Sequence, residues 1–198
     1  MQIVLATNNK GKIREFSQSL AGRQCSIVAQ AELGIKDVPE TGLTFVENAL
    51  IKARHACRAS GLPAIADDSG LVVEALAGAP GIISARYAGT NASAEQNIQK
   101  LLAELAKTKD PNRTAFFHCA LVYMRHAEDP MPLICQASWL GYILDAPVGT
   151  DGFGYDPIFY VPTEKKSASQ LDLAEKNRLS HRGQALRMLL QQLPEKLC

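Results

Sequence analysis

Ala64-Ile65-Ala66-Asp67-Asp68-Ser69-Gly70 places two adjacent carboxylates directly behind a short apolar run. The run reads as a buried strand, and Ser-Gly behind the carboxylates reads as the turn that ends it. Open α/β sheets bind ligands just outside the carboxyl ends of their strands, so a ligand is expected here. Paired carboxylates suit a divalent cation, because Mg²⁺ takes one or two protein carboxylates and leaves its other positions to water and phosphate. A plain acidic turn is the competing reading of the same residues.

Upstream, Ile3-Val4-Leu5-Ala6 is a second buried strand, and Ile13, Phe16 and Leu20 follow at helical spacing, which leaves Thr7 to Lys12 as a strand-to-helix loop. Ser26-Ile27-Val28-Ala29 is another strand. Thr44-x-x-Glu47 has the form of a capping box, ahead of an apolar stripe of Phe45, Val46, Ala49, Leu50, Ala53, Ala56 and Cys57 that stops near Gly61 and Pro63. Downstream, Leu71-Val72-Val73 is expected to return as a hairpin partner, and Gly78 to Gly89 as an ordered loop. Ser93 caps a helix to about Leu105, and two long strands, Thr114 to Met124 and Leu133 to Leu144, turn at Glu128-Asp129-Pro130. The last helix starts at Ser180, buries Ala185, Leu186, Leu189, Leu190 and Leu193, and closes at Pro194. The expectation is one α/β domain over residues 1–198, with a mixed central sheet flanked by helices.

With 46% hydrophobic and 21% charged residues among 198, the chain can build one well-developed core. A net charge of +1 and an aromatic fraction of 6% disfavour nucleic acid as the main partner. Five scattered cysteines without a C-x-x-C pair suggest reduced thiols, and no stretch has the form of a signal peptide or a membrane span. A soluble cytoplasmic protein is expected. His55, His118, His126 and His181 show no zinc-type pairing.

Charge placement supplies the next clue. Lys10, Lys12 and Arg14 crowd the start of the first helix, and His181 and Arg182 open the last one. Helix N-termini carry partial positive charge, so cations there are relieved by an anion, with phosphate the natural candidate. Side chains that simply point into water are the alternative. Thr7-Asn8-Asn9-Lys10-Gly11-Lys12 is not a Walker motif, yet it offers a hydroxyl, two amides, a flexible glycine and lysines to phosphate oxygens. Phe153-Gly154-Tyr155-Asp156-Pro157 holds two aromatics and a carboxylate, which suits stacking on a base or a tight turn with packed rings. Glu40 could join Asp68 on a cation, whereas Lys176 lies in a charged run where a solvated face is the ordinary expectation. Ser69 is read as a ligand-contacting hydroxyl, since no G-x-S-x-G elbow surrounds it.

Taken in order, Thr7-x-Asn9-x-x-Lys12, Glu40-Thr41-Gly42, Asp67-Asp68-Ser69-Gly70, Phe153-Gly154-Tyr155-Asp156-Pro157 and Ser180-His181-Arg182-Gly183 resemble the motifs of the inosine triphosphate pyrophosphatase family. Gly81 to Tyr87 and Phe117-His118-Cys119 resemble its bacterial branch. The resemblance implies hydrolysis of ITP, dITP and XTP to monophosphate and pyrophosphate, a house-cleaning activity. It implies an elongated two-lobed subunit with its active site in a cleft, working as a homodimer on a small nucleotide. Thr7, Asn8, Asn9, Lys10, Gly11 and Lys12 would hold the triphosphate, and Glu40 and Asp68 would hold Mg²⁺, Asp68 also accepting a proton from water. Ser69, Phe153, Gly154, Tyr155, Asp156, Lys176, His181 and Arg182 would bind substrate, Phe153 stacking on the purine and Arg182 near its 6-oxo edge.

Overall fold

The computed structural model describes residues 2–20 and 26–193. Its strands are β1 (Gln2–Leu5), β2 (Ser26–Ala29), β3 (Ala64–Val73), β4 (Thr114–Met124), β5 (Leu133–Ile143), β6 (Phe159–Val161) and β7 (Lys166–Ser167). Its helices are α1 (Lys10–Leu20), α2 (Phe45–Ser60), α3 (Ala94–Lys107), α4 (Leu173–Leu179) and α5 (His181–Gln192). All seven strands form one sheet in the order β2-β1-β3-β4-β5-β6-β7. β1 pairs in parallel with β2 and β3, as helical crossovers through α1 and α2 require. β5, β6 and β7 pair antiparallel, so the sheet is mixed, as expected.

The helix boundaries follow local chemistry. The Thr44 hydroxyl accepts from the Glu47 amide at 3.2 Å while Glu47 answers the Thr44 amide at 2.8 Å, and α2 ends at Gly61 with φ +70°. Ser93 and Gln96 form the same reciprocal box before α3. α5 begins at His181, immediately after Ser180, and the proposed stop at Pro194 lies outside the described residues.

Packing divides the chain into two compact units, the first comprising Met1–Asp68, Cys119–Ala137 and Arg182–Cys198, and the second Ser69–His118 and Ser138–His181. The first unit is a sheet buried on both faces, and strand periodicity sorts its residues. Val4, Ala6, Ala64, Ala66, Ala120 and Val122 face Ala49, Ala53 and Ala56 of α2. Their neighbours Ile3, Leu5, Ile65, Cys119 and Leu121 face Phe16 of α1 and Ala185, Leu186 and Leu189 of α5. In the second unit, Ile98, Leu101 and Leu105 of α3 pack on Leu71, Val73, Ala115, Phe117, Trp139 and Phe159. Phe117 lies 4.5 Å from Phe159, centroid to centroid.

One expectation is corrected. Asp67-Asp68-Ser69-Gly70 is not a turn, and Leu71-Val72-Val73 is not a returning partner, because β3 runs unbroken from Ala64 to Val73. Both carboxylates remain inside the strand, at 1% and 6% exposure, because Asp67 meets the Lys12 and Arg182 cations on one face of the sheet and Asp68 meets Lys52 and the Asn48 side-chain amide on the other.

Candidate active site

The same alternation that sorts Ile65 from Ala66 sends Asp67 and Asp68 to opposite faces. Asp67 joins the face covered by α1 and α5. Its Oδ2 accepts from Lys12 Nζ at 2.8 Å and from Arg182 Nε at 3.3 Å, and Arg182 donates onward to Glu15 at 2.5 Å. Burial alone would raise the Asp67 carboxyl, but Lys12, Arg182 and Lys52 outweigh it and hold the group well below the usual carboxylate range. Burial likewise opposes the charge on Arg182, and Asp67 and Glu15 more than compensate, so its guanidinium is held charged.

Asp68 joins the face covered by α2. Lys52 Nζ donates to its Oδ1 at 3.0 Å and to Glu40 at 2.9 Å, and Asn48 Nδ2 donates to its Oδ2 at 3.3 Å. Burial raises the Asp68 carboxyl, and the opposing pull of Lys52 is not enough to cancel it. Burial disfavours the Lys52 ammonium too, but Asp68, Asp67 and Glu40 together leave it raised. Asn48 also accepts from the Gly42 amide at 2.8 Å. A Cβ at Gly42 would lie 2.5 Å from Glu47 Cβ, so the Glu40-Thr41-Gly42 loop needs glycine to come this close to α2.

The loop before α1 closes on itself. Asn9 Oδ1 accepts from the Gly11 and Lys12 amides at 2.9 and 3.2 Å, capping the helix, and Thr7 Oγ1 accepts from the Asn9 amide at 3.2 Å. Asn8 donates to Asp37 at 2.9 Å. The Lys10 side chain lies outside what the structure describes.

In the second unit, Asp156 accepts from the Phe153 amide at 2.7 Å and from Lys176 Nζ at 2.6 Å, and the same ammonium lies 4.6 Å from the Phe153 ring centroid. Lys176 is therefore a buried partner of Asp156 and not a member of a solvated face. Phe153 keeps 42% of its surface exposed, a large ring held ready at the surface. Gly154 has φ +62°, a conformation costly for a residue with a Cβ. The Tyr155 hydroxyl is buried and donates to the Ser84 carbonyl at 2.9 Å, while Ser84 Oγ accepts from the Leu71 amide at 2.9 Å. His181 stacks on Phe117 with centroids 5.1 Å apart and planes 14° apart. Ser69 is half-buried in β3, next to Asp68.

The residues singled out from sequence thus gather into separate groups: Lys12 with Arg182, Glu40 with Asp68, and Phe153 with Asp156 and Lys176. Sequence reasoning missed Lys52, Asn48 and Glu15, which link members of these groups. Asn48 and Lys52 stand one helical turn apart beside the alanine stripe of α2, a polar pair on a buried flank that could have been noticed. Among the described residues, no cluster of three or more His, Cys, Asp or Glu side chains is arranged to hold a metal. Glu40 and Asp68, sharing one ammonium, are nonetheless two hard oxygen donors already gathered on a single positive charge, which fits a cation such as Mg²⁺.

Fold and site together define a mixed-sheet α/β protein with two adjacent buried carboxylates, each paired with cations, on one central strand. The chain belongs to the Ham1 family, whose model matches residues 3–192. The chain is 58% identical over 192 residues to the dITP/XTP pyrophosphatase of Shigella flexneri, covering 97% of this chain and 98% of that protein. It is 57% identical to the dITP/XTP pyrophosphatase of Escherichia coli (strain K12) over the same shares. A HAM1 protein structure from Coxiella burnetii superposes with a TM-score of 0.93 at 50% identity, covering 96% of this chain and 97% of that one. The Staphylococcus aureus Ham1 protein gives 0.86 at 43% identity, with the same coverage of both chains.

Proposed function

We infer that this protein hydrolyses deaminated purine nucleoside triphosphates, ITP, dITP and XTP, to the nucleoside monophosphate and pyrophosphate. The observation that carries this reading is 57–58% identity, over 97% of the chain, to enzymes named dITP/XTP pyrophosphatase. The site supports it chemically. Asp67 and Asp68 are neighbours pushed in opposite directions, one kept ionised and the other raised, and such a split separates an electrostatic anchor from a base. Asp68 is the proton acceptor: it takes a proton from water as the water oxygen bonds to the first phosphorus, and the bond from that phosphorus to the bridging oxygen breaks so that pyrophosphate leaves. Thr7 to Lys12 hold the phosphates, with Lys12 offsetting their charge. Ser69, Phe153, Gly154, Tyr155, Asp156, Lys176, His181 and Arg182 take the nucleoside, Phe153 offering its exposed face to the purine. Glu40 and Asp68 are the residues that would hold Mg²⁺, which supplies charge neutralisation at phosphate oxygens when bound.

The same reading places the active site in a cleft of a two-lobed subunit that works as a homodimer in the cytoplasm. No helix among the described residues is long and apolar enough to cross a membrane. Selection against ATP follows if the pocket donates to a purine 6-oxo group, because a 6-amino group would leave buried donors unpaired. The test is pyrophosphate release from ITP, dITP, XTP, GTP, ATP and dTTP, each with Mg²⁺ and with excess chelator. Metal-dependent release concentrated on the first three is expected, and Asp68→Asn should lower turnover by roughly 10²–10⁴-fold. Release chiefly from dTTP or ATP, or near-normal turnover by Asp68→Asn, would refute the assignment.

A further inference from the structure

The two misplaced cations of the sequence, Lys12 in the first turn of α1 and Arg182 in the first turn of α5, converge on one oxygen. Asp67 Oδ2 lies 2.8 Å from Lys12 Nζ and 3.3 Å from Arg182 Nε. The anion that relieves both helix starts is therefore built into β3. Arg182 then donates to Glu15, and Glu15 stands three residues after Lys12, on the same side of α1. Lys12, Asp67, Arg182 and Glu15 form a chain of alternating charges, two positive and two negative, that begins and ends on one helix.

Exposure separates the members of this chain. The Asp67 side chain is fully covered, and those of Arg182 and Glu15 are 5% and 10% exposed, but that of Lys12 is 15% exposed. Asp67 is enclosed on every side, whereas Lys12 is the most exposed member of the chain. An ammonium on a four-carbon stem has many rotamers, and fixing one in advance removes an ordering cost from ligand binding.

We propose that Asp67 is a positioning residue, holding the Lys12 ammonium where it meets the phosphate chain of the substrate, with Glu15 and Arg182 completing the brace. This rests on the nucleotide pyrophosphatase reading, and it assigns to Asp67 a role separate from the cation site and the base at Asp68. Glu15 matters because it takes part of the Arg182 charge. Without it, Arg182 would draw Asp67 away from Lys12.

The test compares wild type, Asp67→Asn, Glu15→Gln, Lys12→Ala and the doubles Asp67→Asn/Lys12→Ala and Glu15→Gln/Lys12→Ala. KM and kcat for ITP are measured together with the affinity for IMP, which lacks the two outer phosphates. Asp67→Asn is expected to raise KM for ITP by about tenfold, the scale of one lost charge-assisted contact, with IMP affinity changed by less than about twofold. In the Lys12→Ala background the same substitution is expected to change KM by less than about twofold, because it acts through Lys12. Multiplying effects in the double variant, an unchanged KM in Asp67→Asn, or equal losses for ITP and IMP would overturn the proposal. If Asp67→Asn does not fold, Glu15→Gln decides: a KM increase that vanishes beside Lys12→Ala supports the brace, and any other pattern refutes it. If the wild type hydrolyses no purine triphosphate, the function reading fails by itself. The brace is then judged by binding of inorganic tripolyphosphate, which the Asp67 and Glu15 variants must weaken only when Lys12 is present.

Discussion

Removing Asp156 should leave the Lys176 ammonium enclosed without its carboxylate. The two side chains are 4% and 9% exposed and 2.6 Å apart, and breaking a buried pair by deleting one partner costs about 3–5 kcal/mol. For a protein of this size each kcal/mol moves Tm by roughly 2–4 °C, so Asp156→Ala should lower it by roughly 6–20 °C. The Phe153 amide also loses its acceptor, but Phe153 is at the surface, where water can replace it. Asp156→Ala combined with Lys176→Met removes both charges and should recover most of the loss, because the penalty comes from the unpaired ammonium. Thermal melts followed by circular dichroism, at fixed pH and salt, measure all three proteins. A shift below about 2 °C for Asp156→Ala, or a double variant no more stable than the single one, would refute the argument.

Two further outcomes follow from the structure. Gly141→Ala would put a Cβ 2.5 Å from both the Phe159 ring and the Tyr160 carbonyl, an overpacking cost of about 1–3 kcal/mol or more, to be read as a lower urea midpoint at unchanged slope. An unaltered midpoint would show that β5 and β6 can spread at no cost. Asp129 accepts from the Arg125 guanidinium at 2.9 and 2.5 Å, and this bond, against the effect of burial, holds its carboxyl well below the ordinary value. A depressed folded value contributes stability that is present above the unfolded pKa and lost as pH falls below about 4. Asp129→Asn should therefore lose less stability than wild type on acidification below that point, and parallel acid limbs would contradict the assignment.

Much of the fold was legible because its signals are local. Thr44 with Glu47 and Ser93 with Gln96 are reciprocal caps that a chain of three or four residues specifies by itself, and the structure starts α2 and α3 there. β4 runs from Thr114 to Met124, as its apolar run indicates. The turn at Asp67-Asp68 failed because charge normally ends a buried strand, and what keeps these charges inside comes from far along the chain. Lys12 and Arg182 stand 55 positions before and 115 after Asp67, and neither neighbourhood announces its partner. The candidate residues were legible as motifs, and the contacts among them were not. Lys52 shows why: one more lysine on a helix with two arginines carries no mark of being the cation between Glu40 and Asp68.

The alternation of β3 makes the site depend on parity. Asp67 and Asp68 are the same kind of residue, one covalent step apart, and only odd or even position decides which meets α1 and α5 and which meets α2. Loss of a single codon within Ile65-Ala66, if the strand kept its anchorage at Ala64, would shift each aspartate to the opposite side of the sheet. Composition would hardly change, but Asp68 would take the place beside Lys12, and Asp67 the place of Ala66 against the alanines of α2. A substitution at this strand removes one aspartate, whereas a deletion displaces both at once, so length is constrained here as well as identity.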